Sequence, residues 1–204
     1  MTSRRRWRGF FGLLAALAVF VAPVAPALAL GTAGQWTAVG GPPGGPFTSI
    51  VASPGFSFDS SLFVSTSSAG VFRSSDGGGT FSGLSTGLTD LSVNQIAVSS
   101  SIQSDGTIFA ATASGVFKTT DAGLSWSEVS SGLPDGVISG VAISPAYSTD
   151  STVYASTAAD GVFRTIDGGA NWTRPGFGGM TNMAIIGVAV SPANGDEVFA
   201  WTVG

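Results

Sequence analysis

Residues 70–81 read GVFRSSDGGGTF, and the phrase returns as GVFKTTDAGLSW at 115–126 and as GVFRTIDGGANW at 161–172. Each copy opens on the apolar, β-prone triplet Gly-Val-Phe and closes on an aromatic. Between them runs a string of small residues, with glycines where a turn can demand positive φ. That is strand, tight turn, strand. The aspartate in the middle can accept N–H bonds from the residues after it, as Asx turns do, so its first role is to close the hairpin with its own side chain. The terminal aromatic, Phe81, Trp126 or Trp172, is placed to pack between neighbouring sheets. Asp76, Asp121 and Asp167 stand 45 and 46 residues apart, the length of one four-stranded propeller blade and too long for most helical repeats.

Outward from these turns the rhythm holds. Trp36 precedes Phe81 by 45 residues, so residues 35–39 read as the outer strand of a repeat that lacks its own hairpin. Complete blades are predicted at 48–85, 93–130 and 138–174, and a partial blade at 186–204. The fold class is all-β: a partial β-propeller of three complete four-stranded blades and half a fourth. Closed propellers leave no long unprotected edge, whereas this chain stops at a second strand with no third, so it reads as a fragment of a longer propeller. A compact four-bladed ring that borrows Trp36 for its last blade is the competing arrangement, and it lacks one strand.

Residues 1–29 read as a secretory signal peptide. Arg4, Arg5, Arg6 and Arg8 form the basic region, residues 10–22 the apolar region, and Ala27-Leu28-Ala29 the small-residue cleavage site. The apolar run is too short for a permanent anchor and is broken by Pro23 and Pro26. Ser3-Arg4-Arg5 faintly resembles a twin-arginine signal, which Arg8 spoils. Cleavage after Ala29 removes four of the eight basic residues and none of the twelve acidic ones, so four stand against twelve and the net charge moves from −4 to −8. A nucleic-acid partner is therefore not expected, nor a stable membrane anchor after cleavage. An exported chain without cysteine fits a bacterial envelope or culture fluid.

At Ser74, Asp76, Gly78 and Phe81, at Thr119, Asp121, Gly123 and Trp126, and at Thr165, Asp167, Gly169 and Trp172, the pattern Ser/Thr-x-Asp-x-Gly-x-x-aromatic resembles the Asp-box. This is the bacterial-neuraminidase-type repeat of sialidases, xyloglucanases, sortilin-type receptors and the photosystem II assembly propeller. The resemblance runs from Trp36 to the C-terminus and implies a β-propeller, but members of this superfamily share a turn and not a chemistry.

Few charged residues depart from the repeat. Asp59, Asp105, Asp150 and Asp196 all precede a second strand and read as turn residues, and Asp90 and Asp135 both follow a Gly-Leu pair between blades. With the three hairpin aspartates, repetition explains all acids but Glu128, Asp160 and Glu197. Glycoside hydrolysis needs two carboxylates facing each other across a cleft. Asp90, Asp135 and Asp160 are the ligand-facing loop candidates, weighed against plain solvated loop acids. Arg73, Lys118 and Arg164 share one slot after Gly-Val-Phe and are a repeat feature, unlike the arginine triad of sialidases, and Lys118 lacks the guanidinium fork. Tyr154 replaces Phe63 and Phe109 and reads as core, while Tyr147 is placed in a loop.

The chain has no His and no Cys, which excludes a Ser-His-Asp triad, His-ligated metals and thiolate sites in this segment. The glycine run after Asp76 lacks the Lys-Ser/Thr ending of a phosphate loop. Neither a catalytic residue, a metal nor a cofactor is expected. The sequence thus points to an exported, noncatalytic propeller segment acting as a binding or scaffold module for a protein or a polysaccharide. The alternative is part of a glycoside hydrolase, xyloglucanase- or sialidase-like, with catalytic residues mostly outside this segment. An assembly factor similar to the photosystem II propeller is a third reading, weakened by the acidic mature segment.

Overall fold

The structure, a computed structural model, describes residues 41–43, 45–176 and 182–202. The signal peptide expected at 1–29 and the strand expected at 35–39 lie outside the described residues. What is described is all-β: small antiparallel sheets of a partial β-propeller. Blade one comprises β1 (Phe47–Ala52), a one-turn helix α1 (Phe56–Asp59), β2 (Leu62–Thr66), β3 (Gly70–Ser74) and β4 (Ser82–Gly83). Blade two comprises β5 (Val93–Val98), α2 (Ile102–Asp105), β6 (Ile108–Thr112), β7 (Val116–Thr119) and β8 (Ser127–Glu128). Blade three has β9 (Ile138–Ile143), α3 (Tyr147–Asp150), β10 (Val153–Thr157) and β11 (Gly161–Thr165), and β12 (Ile185–Val190) pairs with β13 (Val198–Thr202) in a sheet of two.

The outer strand is the shortest of each blade. In blades one and two it is two residues long, and in blade three it shrinks to a single bridge between Arg164 and Thr173. The reason is where the backbone N–H groups go. The N–H of Ser125 is taken by Asp121, and that of Trp126 donates to the carbonyl of Thr86 in the preceding blade at 2.9 Å. Few residues are left for the blade's own ladder. Gly87 and Gly132 sit under these tryptophans with φ of 84° and 91°, where a Cβ would strike the carbonyl oxygens of Trp126 and Trp172, so both positions require glycine.

The hydrophobic core lies between blades. Each second-strand aromatic faces the next blade: Phe63 packs with Ile96 and Ile102, Phe109 with Val141 and Tyr147, Tyr154 with Ile185 and Val188. All three aromatics are buried, each stabilising its seam by about 1.5–3 kcal/mol. Innermost strands are stitched by polar side chains, among them Gln95, whose Oε1 accepts the Val141 N–H at 3.2 Å. The Thr48 hydroxyl donates to the carbonyl of Val93 at 2.6 Å, Asn94 Nδ2 to that of Ile138 at 2.9 Å, and the Ser139 hydroxyl to that of Ile185 at 2.5 Å. The repeat thus fixes both the blade and its docking onto the next.

Candidate functional site

Antiparallel strands put the β1–β2 and β3–β4 connections of every blade at one end, and the β2–β3 hairpins with the inter-blade connections at the other. The first end is built from two kinds of aspartate-closed turn. In the β3–β4 hairpin, Asp76 Oδ1 accepts the Ser74 hydroxyl at 2.6 Å and the Thr80 N–H at 2.9 Å, and Oδ2 accepts the Thr80 hydroxyl at 2.7 Å. Asp121 does the same with Thr119 and Ser125, and Asp167 with Thr165 and Asn171. The buried N–H groups of Gly78, Gly123 and Gly169 donate back to the Ser74, Thr119 and Thr165 hydroxyls. Their φ values of 100°, 96° and 100° are what glycine permits.

These hydrogen bonds hold all three carboxylates ionised, at a pKa of about 2 each. The foremost cause is the hydroxyl of Ser74 at Asp76, of Ser125 at Asp121 and of Thr165 at Asp167. A carboxylate held so far below its ordinary pKa stays ionised and neither donates nor accepts a proton near neutral pH. Phe81, Trp126 and Trp172 end these turns, and the indoles of Trp126 and Trp172 donate to the carbonyls of Leu84 and Val129 at 2.6 Å.

The second kind of turn surrounds the one-turn helices, which the sequence reading does not include. Asp59, Asp105 and Asp150 end α1, α2 and α3. Each accepts the hydroxyl of a buried serine six residues earlier, Ser53, Ser99 or Ser144, at 2.6–2.7 Å, and the N–H two residues later at 2.8 Å. The recurring serine and the Ser61, Thr107 or Thr152 after the aspartate are the sequence signal for this clasp. The Ser53 hydroxyl is foremost in lowering the Asp59 pKa.

At the opposite end, Asp90 is half-buried and its Oδ1 accepts the Ser92 N–H at 2.9 Å, which makes it a turn acid. Asp135 and Asp160 come together: both are exposed and line one hollow of about 230 Å³, walled by Pro134, Val137 and Ala158. Asp135 arrives on the link from blade two, and Asp160 on the β10–β11 hairpin, whose backbone is fixed by the Asp160 N–H donating to the Thr157 hydroxyl at 2.8 Å. Two open carboxylates can accept hydrogen bonds from hydroxyls or face a cation. Among the described residues no group of three or more His, Cys, Asp or Glu could hold a metal ion.

Arg73, Lys118 and Arg164 each sit at a separate seam, above a second-strand ring: Arg73 over Phe63 at 5.6 Å, Lys118 over Phe109 at 5.5 Å and Arg164 over Tyr154 at 5.8 Å. Burial raises the pKa of the Tyr154 hydroxyl, which donates to the carbonyl of Gly195 at 3.4 Å. Tyr147, expected in a loop, instead opens α3 and is buried edge-on against Phe109, ring centres 5.7 Å apart. Its ring fills the seam that a solvated loop residue would leave open.

Compared with known proteins, the chain matches no family model and no curated sequence. Solved structures do match. An ancestral GH74 enzyme aligns with a TM-score of 0.60 at 22% identity, over 77% of this chain and 22% of that one. The GH74 xyloglucanase from Xanthomonas campestris gives 0.57 at 18%, over 82% and 29%. Kuenenia stuttgartiensis hydrazine synthase gives 0.59 at 18%, over 85% and 46%. The chain spans less than half the length of each of these proteins. At such identities the likeness establishes the propeller fold and nothing about chemistry.

Proposed function

We propose that the chain is an exported, noncatalytic β-propeller segment of the Asp-box type, a binding or scaffold module whose loops engage a protein or a polysaccharide. The observation that carries the reading is the state of its acids. The hairpin aspartates are held in their turns, and Asp135 and Asp160, the two carboxylates that share a hollow, are both exposed, with no third acid among the described residues that line it to provide a contrast. General acid–base work on a glycosidic bond needs that contrast. An open acidic hollow suits instead the hydroxyls of a sugar chain or the donors of a protein loop. The signal peptide expected at 1–29 supports a location in the cell envelope or outside the cell, and the likeness to much longer propellers fits a fragment.

The competing reading, part of a glycoside hydrolase, draws on the GH74 enzymes among the structural neighbours. One experiment weighs both. The full chain is incubated with xyloglucan, retention on the polysaccharide and release of reducing ends being measured together, beside the Asp135→Asn and Asp160→Asn variants. Retention weakened by either substitution, with no bond cleavage, supports the module. Cleavage abolished by Asp135→Asn would replace it with the hydrolase.

A further inference from the structure

The three seam cations occupy one repeat slot yet end differently. Lys118 crosses into blade three, where Nζ donates to the carbonyl of Gly168 at 2.9 Å and lies 5.9 Å from the Tyr147 ring centre. Arg164 crosses into the β12–β13 sheet, 3.8 Å from the Asp196 carboxylate. In both cases the following blade supplies an oxygen. Arg73 receives none. Among the described residues its one acceptor is the Ser61 hydroxyl of its own blade, at 2.9 Å, and its Nε is buried without a partner, as is that of Arg164.

Where the crossing oxygen would be, there is a cavity of about 280 Å³ between blades one and two. Ile102 stands where blade three has Tyr147, so no ring reaches across the seam, and Ala122, at the repeat position of Gly168, lines the space left open. The rim is polar. Gln103 Nε2 reaches back from blade two to the Ser53 hydroxyl and to Asp59 Oδ2, each at 3.1 Å. Asp59 Oδ2 thus takes two hydrogen bonds and Oδ1 one, from the Ser61 N–H at 2.8 Å. A carboxylate has about four acceptor positions, so Oδ1 keeps one free.

We propose that this cavity is a binding site for a small hydroxy acid, its carboxylate held by the Arg73 guanidinium and its hydroxyl donating to Asp59. The carboxylate supplies the oxygen that the next blade gives to Lys118 and Arg164, and it suits the planar donor fork of Arg73. Asp59 disfavours a ligand carrying several negative charges, and it rewards a neutral donor next to the single carboxylate. Ser61 and Gln103 fix the orientation. The site lies at the end of the blades opposite to Asp135 and Asp160, so it stands or falls independently of the module described above.

The test uses the full chain and D-glucuronate as the probe, a single ring with one carboxylate and several hydroxyls, followed by amide chemical shifts in solution. Saturable binding is expected at roughly 1–10 mM, a weak affinity suited to so few contacts. Arg73→Gln, which removes the fork, and Ile102→Tyr, which fills the cavity with the residue that the next seam already accommodates, should each weaken binding by about tenfold or more. Lys118→Gln, in the same slot at a filled seam, should leave it unchanged. If Arg73→Gln fails to fold, Ile102→Tyr carries the test alone. Absence of saturable binding, or undiminished binding by Ile102→Tyr, overturns the proposal, and so does acetate or D-glucose binding as tightly as the probe.

Discussion

Blades two and three are each fastened to the blade before them by two aspartate-closed turns, and the two turns are built on opposite plans. The hairpin clasp of Asp121 or Asp167 is wholly local, with every partner within four residues, and it ends on a tryptophan whose indole N–H bonds the preceding blade. The helical clasp of Asp105 or Asp150 reaches back six residues to a buried serine and encloses a turn of helix. Its first helical residue, Ile102 or Tyr147, is what presses on the preceding blade. One plan dictates its anchor residue; the other leaves it free. Seams therefore share a frame but differ in filling, which is how one of them comes to hold a cavity lined by Arg73.

The sharpest way to break this comparison is to remove the anchors. Trp126→Ala should lower stability by about 3–5 kcal/mol, as expected for a buried aromatic leaving a cavity, and Ile102→Ala by about 2–4 kcal/mol, both read from the midpoint of urea unfolding. Trp126→Phe isolates the indole bond, and should cost about 1–3 kcal/mol by leaving the Leu84 carbonyl unpaired. An Ile102→Ala loss as large as that of Trp126→Ala would make the two anchors equivalent and remove the distinction.

A finer test takes the clasps themselves. Thr119 is buried, and its hydroxyl both donates to Asp121 and accepts the buried Gly123 N–H. Thr119→Val keeps the shape and orphans that N–H, for an expected loss of about 1–3 kcal/mol. Ser99→Ala in the helical clasp frees groups that water can reach more easily, the Ser101 N–H and an oxygen of Asp105, so a smaller loss of about 0.5–1.5 kcal/mol is expected. Reversal of that order would mean that the helical clasp is the firmer of the two.

The same contrast explains which parts of the molecule could be read from the sequence. The hairpin clasp is readable because its donors, glycine and aromatic fall within eight consecutive residues, and recurrence at 45 and 46 residues then gives blades and fold. The helical clasp is less so: Ser-Pro-x-aromatic-Ser-x-Asp recurs at 53–59 and 144–150, but 99–105 reads SSSIQSD and keeps only the first serine and the aspartate, so the phrase does not run through all three blades. The aspartates are visible as turn residues but their serines and helices are missed. The short outer strands are missed because the N–H groups of Trp126 and Trp172 leave for another blade, a long-range effect that no local pattern encodes. Of the three loop acids, only Asp135 and Asp160 share a hollow. Asp90 closes its own turn on Ser92, although it holds the repeat position of Asp135. The seam cavity depends on what Ile102 fails to reach, and side-chain reach across blades is set by tertiary packing alone.

Acid titration separates the clasps by charge, with the smallest effect per residue. Asp76, Asp121 and Asp167 are held at about 2 in the folded protein against an ordinary value of 3.8, and Asp59 is lowered as well. A carboxylate whose pKa falls on folding contributes stability that is fully present above the unfolded value and is lost as pH drops through the folded one. Unfolding midpoints in urea should therefore be level from neutral pH down to about pH 5 and decline between about pH 4 and pH 2. Because the Thr119 hydroxyl is one of the bonds that depress Asp121, Thr119→Val should flatten that decline while leaving the shape of the curve above pH 5 unchanged. A decline as steep in Thr119→Val as in the parent would mean that the acid limb comes from other groups, and that the hairpin clasp holds its turn without holding its charge.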